Sequence, residues 1–403
     1  MRYASITKRL EGLGSGKWAV HRAGRRRMAE GHDVIELTIG EPDIAPDPGL
    51  LQACSDALFA GRIRYSDGRG EPALLDALAA KYTARTGRNF TRGNFMCFPG
   101  TQTALSVVMQ GLVEAGDEVL VGDPYYATYE GVIRATGAAV VPVPLRPEAG
   151  FHLDAQDLAA AVTPRSRVVL LNSPHNPTGA VLSAAQIAAI GAVARAHDLW
   201  IVCDEVYELL IHHGTFASPL DNPDLAARSI AVSSISKSNA APGLRSGWAA
   251  APAEAIDTLL PVAETMLFGN QPFIADATAH ALTSPAGISG RMTASYRARA
   301  DAAIEILSAG PGLRPLRPEA GMFLFLDIRG TGVDDARFAT GLMEAEDVSV
   351  MPGTAFGAGG AGFVRLSLTV PDARLAEACR RILRHAGRCT PARTATPASA
   401  GRA

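Results

Sequence analysis

A single lysine, Lys237, lies in the stretch SISKSNAAPGLRSGW, among hydroxyls and small residues and upstream of Arg245. A lysine held away from water is a poised amine, able to form a Schiff base with a carbonyl. Ser234, Ser236 and Arg245 are the residue types that bind a phosphate, and so is a helix N-terminus. The loop FPGTQTAL offers such a terminus at Thr101 and Gln102. Asp204, in CDEVY, is a carboxylate that could keep a pyridine nitrogen protonated. Tyr207, in the same motif, and Asn176, in NSPHNPTG, could donate hydrogen bonds to a phenolate oxygen. The set comprises an aldehyde trap, a phosphate cup, a pyridinium partner and phenolate donors, and pyridoxal phosphate is the cofactor that asks for all four.

Each residue also has a plainer reading. Lys237 alone would be a surface lysine after a strand. Asp204 could merely cap a helix, and Asn176 could only form a turn before Pro177. What argues against these readings is the set of elements that delivers the residues. DEVLVGD (117–123), AAVVPVPL (138–145), SRVVLLNSP (166–174), DLWIVCDE (198–205), RSIAVSS (228–234) and SGWAAAP (246–252) read as strands, with Ala-rich helical segments such as SAAQIAAIGAVARAH between several of them. Continuous apolar strands separated by helices predict a mostly parallel α/β sheet covered on both faces. Ligands of such sheets sit beyond the carboxyl ends of the strands. There VVLLNSP delivers Asn176, LWIVCDE delivers Asp204 and Tyr207, and SIAVSS delivers Ser234, Ser236 and Lys237. After about residue 285 a long helix leads into GMFLFLDI, SVMPGTAFG and GFVRLSLTV, the pattern of a smaller α+β unit. The expected organisation is a large domain over 46–285, a small domain from 1–45 and 286–386, and a disordered tail over 387–403.

SISKSNAAPGLRSGW, CDEVY, NSPHNPTG, IGEPD and FVRLS resemble the class I aminotransferases of fold type I, in order and spacing, over nearly the whole chain. More narrowly, MRYASITKRL, SPHNPTGA and PGLRPLRPEAGMFLFLDIRGTG are similar to the bacterial arginine–pyruvate transaminases. The resemblance implies that the mostly parallel sheet of the large domain has seven strands, and that Lys237 holds the cofactor and carries the proton between substrate and cofactor. It implies that Asp204 is the pyridinium partner and that Tyr207 and Asn176 donate to the ring oxygen. Ser234, Ser236, Arg245, Thr101 and Gln102 would form the phosphate cup. Tyr126, in DPYYATYE, would stack on the ring, although Tyr125 and Tyr129 beside it leave the register open and core packing is the alternative. Arg365 would grip the substrate α-carboxylate, with Gly40 beside it; its plain reading is a strand-surface ion pair. Tyr65, in RYSDGRGEP, would reach the cofactor phosphate of a second subunit, which requires a homodimer. Asp276, after NQP, stands where many members carry glutamine; a substrate-domain difference and an ordinary helix surface are both open.

The implied activity is transfer of the amino group of an L-amino acid to a 2-oxo acid, with arginine and pyruvate as the pair the narrower resemblance implies. Aspartate or aromatic amino acids are alternative donors. A carbon–sulfur β-lyase would share every cofactor residue. A non-catalytic pyridoxal-phosphate sensor fits poorly, because the N-terminal segment is too short for a winged helix. A dinucleotide-binding dehydrogenase leaves Lys237 without a role, and AFGAGGAGF lacks the flanking strand and helix of a GxGxxG fingerprint. The 403 residues carry a net charge of -2, which gives no reason to expect nucleic acid or an anionic membrane as partner. The basic run HRAGRRRMAE reads as a solvated helix face. Five scattered cysteines show no metal-ligand spacing, and His212 and His213, adjacent on an extended segment, would face opposite sides. No metal is expected. Without a signal-like leader or a long apolar run, the expectation is a cytoplasmic protein.

Overall fold

A computed structural model describes residues 1–13, 16–284 and 287–389. In chain order the strands are Ile35–Glu36 (β1), Phe95–Phe98 (β2), Glu118–Asp123 (β3), Ala139–Pro144 (β4), Ser166–Asn172 (β5), Trp200–Asp204 (β6), Ser229–Ser234 (β7), Gly247–Ala250 (β8), Arg314–Leu316 (β9), Phe323–Asp327 (β10), Val348–Ser349 (β11), Met351–Pro352 (β12) and Phe363–Ser367 (β13). Seven of them form one sheet in the order β2-β8-β7-β6-β5-β3-β4. The run from β7 to β4 is parallel throughout, and β8 is antiparallel to both its neighbours. This is the mostly parallel sheet of fold type I. Its interior strands are buried over most of their length because helices such as Thr101–Leu112 and Ala184–Ala196 cover the faces. β4 differs: Pro142 and Pro144 cannot donate to a ladder, and it lies at an edge with most of its residues at least partly exposed. The short FMCF strand, β2, had no place among the predicted strands; it closes the other edge against β8.

The parallel register aligns the strand ends. Asn172 at the end of β5 stands opposite Asp204 at the end of β6, and Asp204 opposite Val232 near the end of β7. Whatever follows these three ends must share one rim.

A second core lies outside this sheet. The helices Gly287–Leu307 and Asp372–Cys389 pack on β10 and β13 of a four-stranded sheet, burying Tyr296, Phe323, Phe338 and Ile382. β1 joins the same core by pairing in parallel with β11. Tyr207 and Leu210 reach into it from the end of the large sheet, so the rim faces both cores. The helix continues through 387–389, where a disordered tail was expected, because Ala386 is still buried against this core. The remainder of that expected tail lies outside the described residues.

Candidate active site

Beyond the ends of β5, β6 and β7 a cleft of about 150 Å³ is lined by Thr101, Gln102, Tyr126, Asn176, Asp204, Tyr207, Ser234, Ser236, Lys237 and Arg245, together with Leu105, Tyr129, Asn172, Val206 and Pro242. Ten of the residues singled out in the sequence therefore converge. Gly40 and Arg365 join them by hydrogen bonds. The Lys237 amine donates to the Gly40 carbonyl at 2.6 Å, and Arg365 Nη1 donates to Asn176 Oδ1 at 2.9 Å. Tyr65 does not join them in the single chain: it is 89% exposed and packs against Phe268.

Lys237 lies in the short helix Ile235–Ser238, which follows β7 directly. Burial lowers its pKa to about 8; Glu41 and Asp204 oppose the shift, and Arg365 and Arg245 add to it. About a tenth of the amine is then unprotonated at pH 7, far more than for an ordinary lysine, and that is the state a nucleophile needs. Asp204 is held at the floor by two donors, Tyr129 Oη to Oδ2 at 2.8 Å and the Val206 amide to Oδ1 at 3.2 Å. Burial raises its carboxyl to about 6, with the Tyr129 hydroxyl, the Val206 amide and Lys237 working the other way.

The anion-binding end is built from close backbone approaches. Gly100 precedes the helix Thr101–Leu112 with φ +91, and a Cβ there would lie 2.1 Å from Arg245 Nη2. A Cβ on Gly247 would fall within 2.9 Å of the backbone of Gly100, Ser233 and Thr101. Arg245 itself occupies the left-handed region, with φ +50, a conformation that costs a non-glycine residue about 1–3 kcal/mol. Its guanidinium is anchored on the Pro242 and Pro99 carbonyls. Among the described residues the Thr101 hydroxyl is buried with no partner, and no side chain caps the first turn of its helix. The open amides, this hydroxyl, Ser234, Ser236 and Arg245 fit a phosphate. Gln102 instead accepts from the Thr128 hydroxyl at 2.9 Å, at the rim.

Arg365 is 3% exposed and sandwiched between the rings of Phe323 and Phe356, with its guanidinium carbon 4.0 and 4.7 Å from their centroids. Its Nη2 donates to the Thr38 carbonyl at 2.5 Å. Both acceptors are neutral, Nε has no partner among the described residues, and burial lowers its pKa to about 10. A buried cation with neutral neighbours is suited to receive a carboxylate, and at 3% exposure Arg365 is not part of a strand-surface ion pair. Tyr126 lies edge-on to Tyr129, 5.5 Å between centroids. Tyr129 was the residue left open in the sequence; its i, i+3 spacing from Tyr126 at the start of a helix puts both on the cleft side. Asn172 went unremarked. It accepts from the Asn176 amide at 2.8 Å and donates to the Asp204 carbonyl at 3.0 Å, tying two strand ends together. Asp276 pairs with Arg62 at 2.7 Å, and Arg62 also meets Glu71. It is a structural ion pair, away from the cleft.

The family Aminotransferase class I and II matches residues 32–382. Arginine–pyruvate transaminase AruH of Pseudomonas aeruginosa is 43% identical over 382 residues, 95% of this chain and 97% of that one. The aspartate/prephenate aminotransferase of Thermus thermophilus is 33% identical over 92% of this chain and 95% of its own. Among solved structures, Thermus thermophilus aspartate aminotransferase with maleate superposes with a TM-score of 0.90 at 33% identity, covering 96% of this chain and 100% of that one. The aspartate aminotransferase of Rhizobium meliloti gives 0.91 at 30% identity, over 96% and 99%. Among the described residues no helix is long and apolar enough to cross a membrane. With its sheet, its cleft and these relatives agreeing, the chain belongs to the class I and II aminotransferases and is an aminotransferase.

Proposed function

We propose that the protein uses pyridoxal phosphate to move the amino group of an L-amino acid to a 2-oxo acid, with arginine as donor and pyruvate as acceptor. The observation that carries the cofactor reading is the buried Lys237 amine, lowered to about 8, between a carboxylate and an anion cup with an unpartnered hydroxyl. Arginine and pyruvate rest on the likeness to the Pseudomonas aeruginosa enzyme.

When bound, the cofactor supplies an aldehyde that condenses with amines and a ring that draws electrons from the substrate Cα. This chain's residues do the rest. Thr101, Ser234, Ser236 and Arg245 bind the phosphate. Asp204, backed by Tyr129, holds the proton on the ring nitrogen. Tyr126 covers a ring face. Asn176 turns its Oδ1 to Arg365 and its amide toward the Tyr207 hydroxyl, the side on which both would meet the ring oxygen. Arg365 binds the substrate carboxylate and so fixes the Cα above Lys237. The Lys237 amine would serve as the base that takes the Cα proton and as the acid that returns it. The Gly40 carbonyl, which accepts from this amine, orients it. The cofactor domain would comprise 46–285, and 1–45 with 286–386 would form the smaller domain. Tyr65 stands with Phe59, Ile63 and Phe268 as exposed apolar side chains, which supports a homodimer in which Tyr65 reaches the cofactor phosphate of a second copy.

The test is the absorbance spectrum of the purified protein, followed by addition of single L-amino acids without oxo acid. A visible band that bleaches with arginine and not with aspartate supports both halves of the proposal. Bleaching with aspartate or an aromatic amino acid removes arginine and keeps the cofactor reading. Pyruvate and ammonia released from cystathionine identify a β-lyase. A parent protein with no band, even after added pyridoxal phosphate, or a Lys237→Ala variant that keeps the parent's band, refutes the role of Lys237.

A further inference from the structure

The turn that carries Asp204 and Tyr207 into the cleft has a second face. Glu205 and Glu208 point the other way, toward the helix Pro72–Thr86, and both are buried. There Arg85 bridges them: Nη1 lies 3.2 Å from Glu205 Oε2 and 2.9 Å from Glu208 Oε2. We propose that Arg85 is a positioning residue of the active site, stapling the back of the turn whose front holds Asp204 and Tyr207 against the cofactor. The inference rests on the pyridoxal-phosphate reading given above.

The geometry supports it in three ways. First, the pairs 204/207 and 205/208 have the same spacing across the end of β6 and the turn that follows it, so the backbone that sets Glu205 against Glu208 also sets Asp204 against Tyr207. Second, the back face is electrostatically tense. Glu205, Glu208 and Asp221 confront two cations, Arg85 and Lys81. Burial raises the Glu205 carboxyl to about 7, although Arg85 opposes this. Burial would raise Glu208 too, but Lys81 and Arg85 outweigh it and hold it below its usual range. Without the guanidinium, the two carboxylates would repel each other across a dry turn, and one would take up a proton or move. Third, the network reaches the neighbouring strand ends. Lys81 donates to Glu208 at 2.5 Å, and the Ser233 hydroxyl at the end of β7 approaches Glu208 at 3.5 Å. Tyr82, beneath the Arg85 guanidinium at 4.5 Å, accepts from the Trp248 indole of β8 at 3.0 Å. One helix thus ties together, from behind, the strand ends that present Asp204, Ser234 and Lys237.

The test compares the parent with Arg85→Met, Arg85→Lys and Leu78→Ala by two readouts: the affinity for pyridoxal phosphate, and the pH at which the visible band of the bound cofactor changes. Leu78 is buried on the same helix and belongs to the apolar core, outside the charge network. In Arg85→Met, Asp204 loosens its hold on the ring nitrogen. The ring then carries less positive charge, the nitrogen of Lys237 keeps its proton to higher pH, and the titration moves up by about half a pH unit or more. Cofactor affinity falls roughly tenfold to a hundredfold, the range for losing the outer support of a binding site. Arg85→Lys keeps a cation that meets one carboxylate at a time, so it falls between the two; it also serves if Arg85→Met does not fold. Leu78→Ala lowers the melting temperature and leaves both readouts at parent values. A parent-like titration and affinity in both Arg85 variants would overturn the proposal, and so would an equal shift in Leu78→Ala. Absence of the band from the parent would instead sink the cofactor reading on which it rests.

Discussion

Arg365 separates binding from folding more sharply than any other residue of the cleft. Its pKa falls from 12.5 to about 10, a difference of roughly 3 kcal/mol in the cost of keeping it charged where it sits. The folded protein bears that cost at neutral pH, and in the proposed function a substrate carboxylate would relieve it. Arg365→Met removes the charge and keeps a long apolar stem between Phe323 and Phe356. It also strips a donor from Asn176 Oδ1 and from the Thr38 carbonyl, at about 1 kcal/mol each. Some cation–π attraction to the two rings is lost as well, about 1–2 kcal/mol. These terms oppose one another, so the cofactor-free variant should lie within about 2 kcal/mol of the parent by denaturant unfolding. Catalysis has no such compensation. Losing a desolvated charge pair to the substrate costs about 3–5 kcal/mol, which lowers kcat/KM by roughly 10²–10³-fold or more for every amino donor, whatever its side chain. An amine substrate without the carboxylate should lose little. A fall of less than tenfold with amino acids would refute the carboxylate assignment. An unfolding penalty above about 4 kcal/mol would show that Arg365 is chiefly a structural ion.

Asp204→Asn should stabilise the cofactor-free protein while weakening cofactor binding and activity. The folded carboxyl titrates at about 6 against 3.8 for its usual value, so the folded state binds the extra proton between those values and its ionised form costs about 3 kcal/mol above pH 6. The gain from Asn is therefore full at pH 7, fades as pH falls through 6, and is gone below about 4; a pH series of unfolding curves reads this directly, and a destabilised variant at pH 7 would contradict it. Gly247→Ala drives a methyl into the backbone of three residues at 2.8–2.9 Å, none of which is a flexible side chain. It should destabilise the protein by about 1–3 kcal/mol and pull the Gly100–Thr101 turn away from β8, so that phosphate no longer protects the protein in thermal unfolding.

The cofactor end of the site was legible because strand ends are. A buried strand must finish at a rim, and the residues after VVLLN, IVCD and SIAVSS are where three adjacent ends deliver side chains. Lys237, Asp204 and Asn176 could be placed from that rule alone. Gly40 and Arg365 could not. The contacts Lys237–Gly40 and Arg365–Asn176 join segments far apart in the chain, through a second core whose packing on the first no periodicity encodes. The family resemblance supplied them, and the structure brings them to the cleft. Tyr65 likewise rests on the resemblance, since in the single chain it is exposed and meets Phe268 outside the cleft. The strand β2 was missed because FMCF is short and its partner in the sheet, β8, lies far along the chain.

The motif CDEVY shows why a site reads more easily than its support. Asp204 and Tyr207 announce themselves by chemistry, since a carboxylate and a phenol at a strand end suggest a ligand. Glu205 and Glu208 are of types normally found in water, and nothing in the sequence distinguishes a solvated pair from a buried one. What makes them a device is Arg85, which arrives from a helix that ends well before the first strand of the large sheet. An active-site carboxylate raised by burial to about 6 needs a rigid mount, because a mobile one would relax toward water and lose the shift. A dry charge cluster behind the turn provides that rigidity, since breaking any one of its pairs leaves an unpaired charge out of water. The stability costs of Asp204 and Arg365 on the cleft side are thus borne by a scaffold whose charges face away from the chemistry.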